Sequence, residues 1–345
     1  MTARPYDSGE PVVSGIGVVT PWTDQPEKAA LADRPAVPGQ WFDHRARLGP
    51  RGYKYLPPAS QFFLAAAKYA LADSDDDPAR YAAERRGAAV GTNSSAVALH
   101  DSMDRTVLQE SAAALSPASA PYFSINLFGS RLATEHGLKG FNLTLTTPRV
   151  AGLESLETGA RAVAAGRASW LLAGATEEAL PEGLPGHERS ERGAVALVLE
   201  PAGAVRERGG RVYGGCRVSS HFLAPAVAAS AEGPERARRL IARGVAGVGS
   251  GSVFDGAGFG GAGFGGAGGP RVIAVVDESA VGRAVASAAG PGATLVAAGA
   301  GALEPLLQVA GALAELTAPV LVVATAPGGN LSLALLTPPA GEDGR

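Results

Sequence analysis

Thr147, Pro148 and Arg149 stand where a strand-like run meets a helix-like one, a junction at which a chain can present a reactive group. The run LTLT at 143–146 reads as a short strand, and after the turn Val150, Leu153, Leu156, Ala160 and Val163 or Ala164 recur at helical spacing. Gly166 stops that pattern, and WLLAGATEE then forms the nearly unbroken apolar run of a buried strand. An elbow of this kind presents a nucleophile at a helix N-terminus, where free N–H groups and the helix dipole favour negative charge. Arg149 occupies the elbow, and its guanidinium is always protonated and cannot act as a nucleophile. Buried without a partner it would cost several kcal/mol, on the order of any buried ion. It must therefore reach a carboxylate, a carbonyl or solvent, and we expect a salt bridge that fills and closes the pocket there.

Other candidate groups carry less. Cys216 and His221 are five residues apart in VYGGCRVSSH, and a Cys/His nucleophilic pair is conceivable. An odd separation on a strand puts them on opposite faces, which favours a buried structural cysteine. Glu177 and Glu178 end the apolar strand; they suit pairing with basic groups, Arg149 among them, or solvation, better than paired-acid chemistry. The segment 247–270 holds GAGFG twice and reads as a flexible low-complexity stretch. No strand leads directly into it and no helix opens from it, so it does not read as a phosphate-binding loop.

The elements that must hold the elbow alternate. VVSGIGVVT at 12–20 reads as a strand with a glycine kink, and 22–58 as a long surface excursion. The pattern predicts a helix over 60–73 with Ser60 as its N-cap, a strand over 86–92, and helices over 102–114 and 125–134. Further on come strands over 193–200 and 211–219, the latter with a Gly-Gly bulge signal, and a helix over 233–245. A strand over 271–277, a helix over 279–288, a short strand over 294–298 and a helix over 301–316 lead to a closing hairpin turned by Gly328, Gly329 and Asn330. Strands alternating with helices indicate an α/β protein with covered sheets.

The 345 residues, 46% hydrophobic, can bury a large core as one domain or two. A net charge of −3 gives no reason to expect nucleic acid, and one cysteine excludes an internal disulfide framework and fits the cytoplasm. The start MTARPYDSGEPVV does not read as a signal peptide, and runs such as APVLVVATA are too short to span a membrane.

Taken together, these pieces resemble the β-ketoacyl synthases over nearly the whole chain. VVSGIGVVTPW resembles that family's opening strand, and SPASAPYFSINLFGSRLATEHGLKG with TLTTPRVAG is similar to the segment bearing its Thr-Ala-Cys elbow. WLLAGATEE and GAVALVLEP resemble the next two strands, and TAPGGNLSLALL a one-residue-shorter form of its Gly-Phe-Gly-Gly-x-Asn hairpin. The resemblance implies a thiolase-like fold of two similar βαβαβαββ halves, 1–203 and 204–345, layered α-β-α-β-α. The second half is truncated, mostly between Arg211 and Gly301.

The resemblance further implies which chemistry is missing. Arg149 falls at the nucleophile Cys, the counterpart of the first histidine turn is RVIAVVDESAVG without a His, and the second histidine would fall near Leu295. His44, His100, His136, His187 and His221 all lie elsewhere. Thr147, Pro148, Arg149, Gly328, Gly329 and Asn330 then form a degenerate active site with no catalytic residue, no metal and no cofactor. Loss of all three groups is the pattern of the chain length factor subunits of type II polyketide or polyene synthases. Such subunits form a heterodimer with an active ketosynthase and work on chains held by an acyl carrier protein. They commonly carry Gln rather than Arg at the elbow, and Arg149 is either a selected plug or a residue that drifted once catalysis was lost. By the same resemblance Pro121, Tyr122, Phe123, Ile125, Leu127 and Phe128 lie at the tunnel and subunit interface, where bulk limits chain length. The alternatives are a stand-alone acyltransferase or malonyl decarboxylase with atypical residues, and a structural homodimer.

Overall fold

The helix and strand periods read from the sequence become ten strands and ten helices in the computed structural model, which describes residues 6–35, 39–246 and 269–339, apart from the side chains of 118–120 and 128. Most of the Gly-rich segment therefore lies outside the described residues, as does the side chain of Phe128.

The first half runs β1 (Pro11–Val19), α1 (His44–Arg47), α2 (Pro58–Ser74), β2 (Arg86–Gly91), α3 (Val97–Gln109), α4 (Leu127–His136), β3 (Asn142–Leu145), α5 (Ala151–Ala164), β4 (Trp170–Glu177) and β5 (Gly193–Pro201). After α6 (Ala202–Glu207) the second half runs β6 (Gly214–Phe222), α7 (Pro225–Ala228), α8 (Gly233–Ala246), β7 (Arg271–Val276), α9 (Ala280–Ala289), β8 (Thr294–Ala297), α10 (Glu304–Ala314), β9 (Val320–Thr325) and β10 (Asn330–Thr337). Hydrogen bonding orders the strands β3-β2-β4-β5-β1-β6-β10-β9-β7-β8. Exchanging each strand for its counterpart five places on reverses that order onto itself, so each half repeats βαβαβαββ. Within the sheet the two halves pair where β1 meets β6, Val12 with Gly215 and Val13 with Gly214.

Side-chain burial gives the layers. Leu153 and Leu156 of α5 and Leu306, Leu307 and Leu313 of α10 share one core with Leu171, Leu197, Val322 and Leu336 from the two sheet halves. Each such fully buried side chain contributes about 1.5–3 kcal/mol. Phe62, Phe63 and Leu132 cover the outer face of the first half, and Leu240, Ile241 and Val285 that of the second, completing α-β-α-β-α. The two central helices approach closely at Gly152, where a Cβ would sit 2.5 Å from the Ala302 carbonyl oxygen and 2.6 Å from Leu306 Cδ2. Any larger residue there would force α5 away from the start of α10.

Three local expectations are corrected. Ser60 does not cap α2: the helix opens at Pro58, Ser60 is buried, and its hydroxyl has no hydrogen-bond partner. The Glu178 carboxylate, brought in by the tertiary fold, instead accepts from the Ala59 N–H at 3.2 Å. Gly214 and Gly215 form no bulge, since β6 pairs with β10 in continuous register; the irregularity lies in β1 between Val13 and Gly15. The helix expected over 102–114 begins earlier, at Val97, and stops at Gln109. Among the described residues no helix is long and apolar enough to cross a membrane.

Candidate functional site

The elbow follows from its neighbours. β3 ends at Leu145, the Thr147 carbonyl accepts the Ala151 N–H at 3.0 Å to start α5, and the chain must reverse in the residues between. Arg149 absorbs the reversal with φ of +62°, a left-handed conformation that costs a residue bearing a Cβ roughly 1–2 kcal/mol. The surroundings hold it there. Asn93, just past β2, accepts the Arg149 N–H on Oδ1 at 2.8 Å. Its Nδ2 donates to the carbonyls of Thr146 at 3.0 Å and Thr147 at 3.3 Å.

Asn93 is tied in turn to a buried carboxylate. Glu177 Oε1 accepts the Asn93 N–H at 2.8 Å and the Ala302 N–H at 2.7 Å, and Oε2 accepts the Ser94 N–H at 2.6 Å and hydroxyl at 2.5 Å. Burial raises the affinity of this carboxyl for its proton, and the donated N–H and O–H groups oppose that rise. One side chain thus links the first elbow to the turn that precedes α10. Glu191 receives the N–H groups of Leu303 and Glu304 at 3.0 Å each. Burial, then the charges of Glu177 and Glu304, push it up to about 8.

The Arg149 side chain turns to the other half of the fold. Its Nη1 lies 2.5 Å from Oδ2 of Asp277, and the two side chains are 11% and 10% exposed. Asp277 immediately follows β7, in the RVIAVVDESAVG segment, and its Oδ1 accepts the Ser279 N–H at 3.0 Å. Burial pushes the Asp277 carboxyl up, but the bonds from Ser279 and Arg149 outweigh it and hold it below the usual aspartate value. The pairing of Arg149 with Glu177 or Glu178 does not occur, and neither glutamate is solvated, at 0% and 3% exposed. Both are spent on backbone N–H groups near the ends of other elements. The pairing with Asp277 depends on the two halves meeting, and no spacing in the chain announces it.

The remaining predicted residues are scattered. Gly328, Gly329 and Asn330 form the β9–β10 turn, with the Gly329 N–H on the Ala326 carbonyl at 3.0 Å and Gly329 at φ +107°. They share no hydrogen bond with Arg149. Tyr122 lines a cavity of about 400 Å³, Phe123 and Ile125 are 61% and 40% exposed, Pro121 lies in the 3₁₀ turn Pro117–Tyr122, and Leu127 opens α4. His100 packs against Phe123 with ring centroids 4.8 Å apart and planes tilted by 46°, and none of the five histidines bonds to Arg149 or Asp277. Leu295 is 55% exposed on the edge strand β8. Cys216 is buried and its thiol is pushed up to about 12, while His221 bonds to Ser219 at 3.0 Å, so these two make no nucleophilic pair. Among the described residues no group of three or more His, Cys, Asp or Glu side chains could hold a metal.

Asp277, Asn93 and Glu191 were missed as members of this constellation. Asp277 left a trace in the sequence, as a polar residue ending an apolar strand ahead of a helix; Asn93 and Glu191 left none.

Known proteins share the fold. Residues 14–196 match the family model of the β-ketoacyl synthase N-terminal domain. The chain is 25% identical over 196 residues to 3-oxoacyl-[acyl-carrier-protein] synthase 2 of Vibrio cholerae, covering 51% of this chain and 47% of that protein. The alignments thus span at most about half the length of the curated relatives. The ishigamide ketosynthase/chain length factor superposes with a TM-score of 0.70 at 22% identity, over 96% of this chain and 99% of that one. A ketosynthase in complex with its type II acyl carrier protein, AntDE:AntF, gives 0.68 at 15% identity over 95% and 99%. At these identities the superpositions speak to the fold, which is thiolase-like.

Proposed function

Since the chain belongs to the β-ketoacyl synthase family, we propose that it is a chain-length-factor-like subunit that pairs with an active ketosynthase and shapes the acyl path without performing condensation. The observation that carries this reading is the Arg149–Asp277 ion pair at the elbow. A guanidinium has no lone pair to attack a thioester. Its partner carboxylate sits in the segment where the resemblance places a histidine. The pair fills the position with matched charge, which supports a plug rather than a reactive centre. Conversion of Arg149 alone to Cys should therefore give no condensation.

The surface supports a missing partner. α3 buries none of its residues, Leu108 is 85% and Phe123 61% exposed, and β3 ends the sheet with Leu143 at 41%. In our reading a ketosynthase covers this face, the segment 121–128 contributes to the tunnel wall, and the growing chain arrives on an acyl carrier protein. The two repeats then serve as halves divided near residue 203.

The test is to purify the protein alone and together with the ketosynthase encoded beside it. A stable mixed dimer that condenses acyl and malonyl groups only when both chains are present supports the proposal. Turnover by the lone protein would instead select an atypical acyltransferase or decarboxylase, and a stable self-dimer indifferent to the ketosynthase would select a structural role.

A further inference from the structure

A second cavity, of about 460 Å³, opens on the outer side of the first half where α2 ends, α4 ends and β2 begins. Leu71 and Asp76 come from the end of α2 and the turn after it, Pro78 and Ala79 from the 3₁₀ turn that follows, Arg86 from the first position of β2 and His136 from the last of α4. None of its lining residues belongs to α3, β3 or the segment 121–128, and it sits at the end of β2 opposite Asn93. It therefore lies apart from both the elbow and the face given to a ketosynthase, and a ligand there would need no partner subunit.

Two opposite charges line this cavity without pairing. The Asp76 side chain is 1% exposed; its Oδ1 accepts from Arg80 Nη1 at 2.8 Å and stands 3.8 Å from Arg208 Nε, while its Oδ2 has no hydrogen-bond partner. A buried carboxylate oxygen without a donor is costly, and folded proteins rarely leave one empty. The Arg86 guanidinium donates only to main-chain carbonyls, from Nε to Tyr81 at 2.9 Å, from Nη1 to His136 at 3.4 Å and from Nη2 to Ala79 at 3.5 Å. Among the described residues no carboxylate forms an ion pair with it. The other charges around the cavity are already matched. Glu135 pairs with Arg131 at 3.6 Å, Glu200 with Arg208 at 2.7 Å, and Asp77 accepts the Ala79 N–H at 2.8 Å.

A zwitterion would satisfy both. Its ammonium would donate to Asp76 Oδ2 near the C-terminal ends of α2 and α4, whose last carbonyls favour positive charge. Its carboxylate would meet the two outer nitrogens of Arg86, a planar fork matched to two oxygens, whose present bonds are long and readily shared. An amine alone would leave Arg86 unmet, and an acid alone would leave Asp76 unmet. Leu71 and Pro78 supply an apolar wall for a side chain, and His136, held below the usual histidine value by burial, adds no competing charge at neutral pH. We propose that this cavity binds a free α-amino acid with an apolar side chain, its ammonium on Asp76 and its carboxylate on Arg86.

Calorimetric titration of the full chain with leucine, isoamylamine and isocaproate near neutral pH tests it, because the last two are leucine without its carboxylate and leucine without its amine. Leucine should bind saturably and about tenfold or more tightly than either, the loss expected for one charge-assisted hydrogen bond. Asp76→Asn should remove the advantage of leucine over isocaproate, and Arg86→Gln its advantage over isoamylamine. Ala79→Trp, at an exposed position on the cavity wall, should block leucine while leaving circular dichroism and melting unchanged, and it tests the location even if Arg86→Gln folds poorly. Equal binding of leucine and isoamylamine would reduce the cavity to a cation site and overturn the proposal. So would leucine binding that is unchanged in Asp76→Asn or in Ala79→Trp, or no saturable binding of leucine by the unaltered chain.

Discussion

Arg149 Nη1 meets Asp277 Oδ2 at 2.5 Å, so the elbow of one half of the fold is held by the strand end of the other. Removing one partner leaves a nearly buried charge unpaired. Arg149→Ala and Asp277→Ala should each lower unfolding stability by about 1–3 kcal/mol, less than a fully enclosed pair because both side chains keep some solvent contact and Asp277 retains Ser279. The double variant should cost less than the sum of the singles. Urea denaturation of all four proteins forms the cycle, and strict additivity would show that the pair contributes no coupling.

The elbow's conformation can be separated from its charge. Arg149→Gly and Arg149→Ala both lose the ion pair, but only glycine takes φ of +62° without strain. The glycine variant should be the more stable by about 0.5–1 kcal/mol, despite the freedom it adds to the unfolded chain. Asn93→Asp keeps an acceptor for the Arg149 N–H but sets a carboxylate against the Thr146 and Thr147 carbonyls. It should therefore destabilise at least as much as Asn93→Ala. A neutral effect of both substitutions would show that the turn holds itself.

Glu191, half-buried against the first turn of α10, should make stability fall with rising pH. Glu191 is pushed up to about 8 from an unfolded value near 4.5, so between those values the folded state binds more protons than the unfolded. Stability is then highest near the lower end of that window and declines as pH rises through it. Glu191→Gln should flatten the decline from pH 5 to pH 8 by on the order of 1–2 kcal/mol. Melting temperatures of the two proteins across that range measure it, and parallel curves would remove Glu191 as the cause.

The alternation of apolar strands and amphipathic helices was enough to place most elements within a few residues, because burial of a sheet face or helix stripe is written locally as a period. Leu153 and Leu156 on α5 and the unbroken run of β4 are examples, and the elbow was legible because a strand, a tight turn and a helix start leave marks within a few residues of one another. The capping of α2 was misread for the converse reason. Ser60 looked like a cap by local chemistry, yet Pro57 and Pro58 start the helix earlier and Glu178, distant in sequence, receives the Ala59 N–H.

By itself, the sequence determined the strand and helix order, the elbow, and the presence there of a guanidinium that cannot react. Tertiary structure alone decided what that guanidinium meets. Asp277, Asn93 and Glu177 lie 128 residues after, 56 before and 28 after it in the chain. Only packing of the two repeats around α5 and α10 brings the first into ion-pair range and ties the elbow, through the other two, to the turn before α10. Charges and hydrogen bonds act over a few ångströms of space, and the sequence records proximity only along the chain.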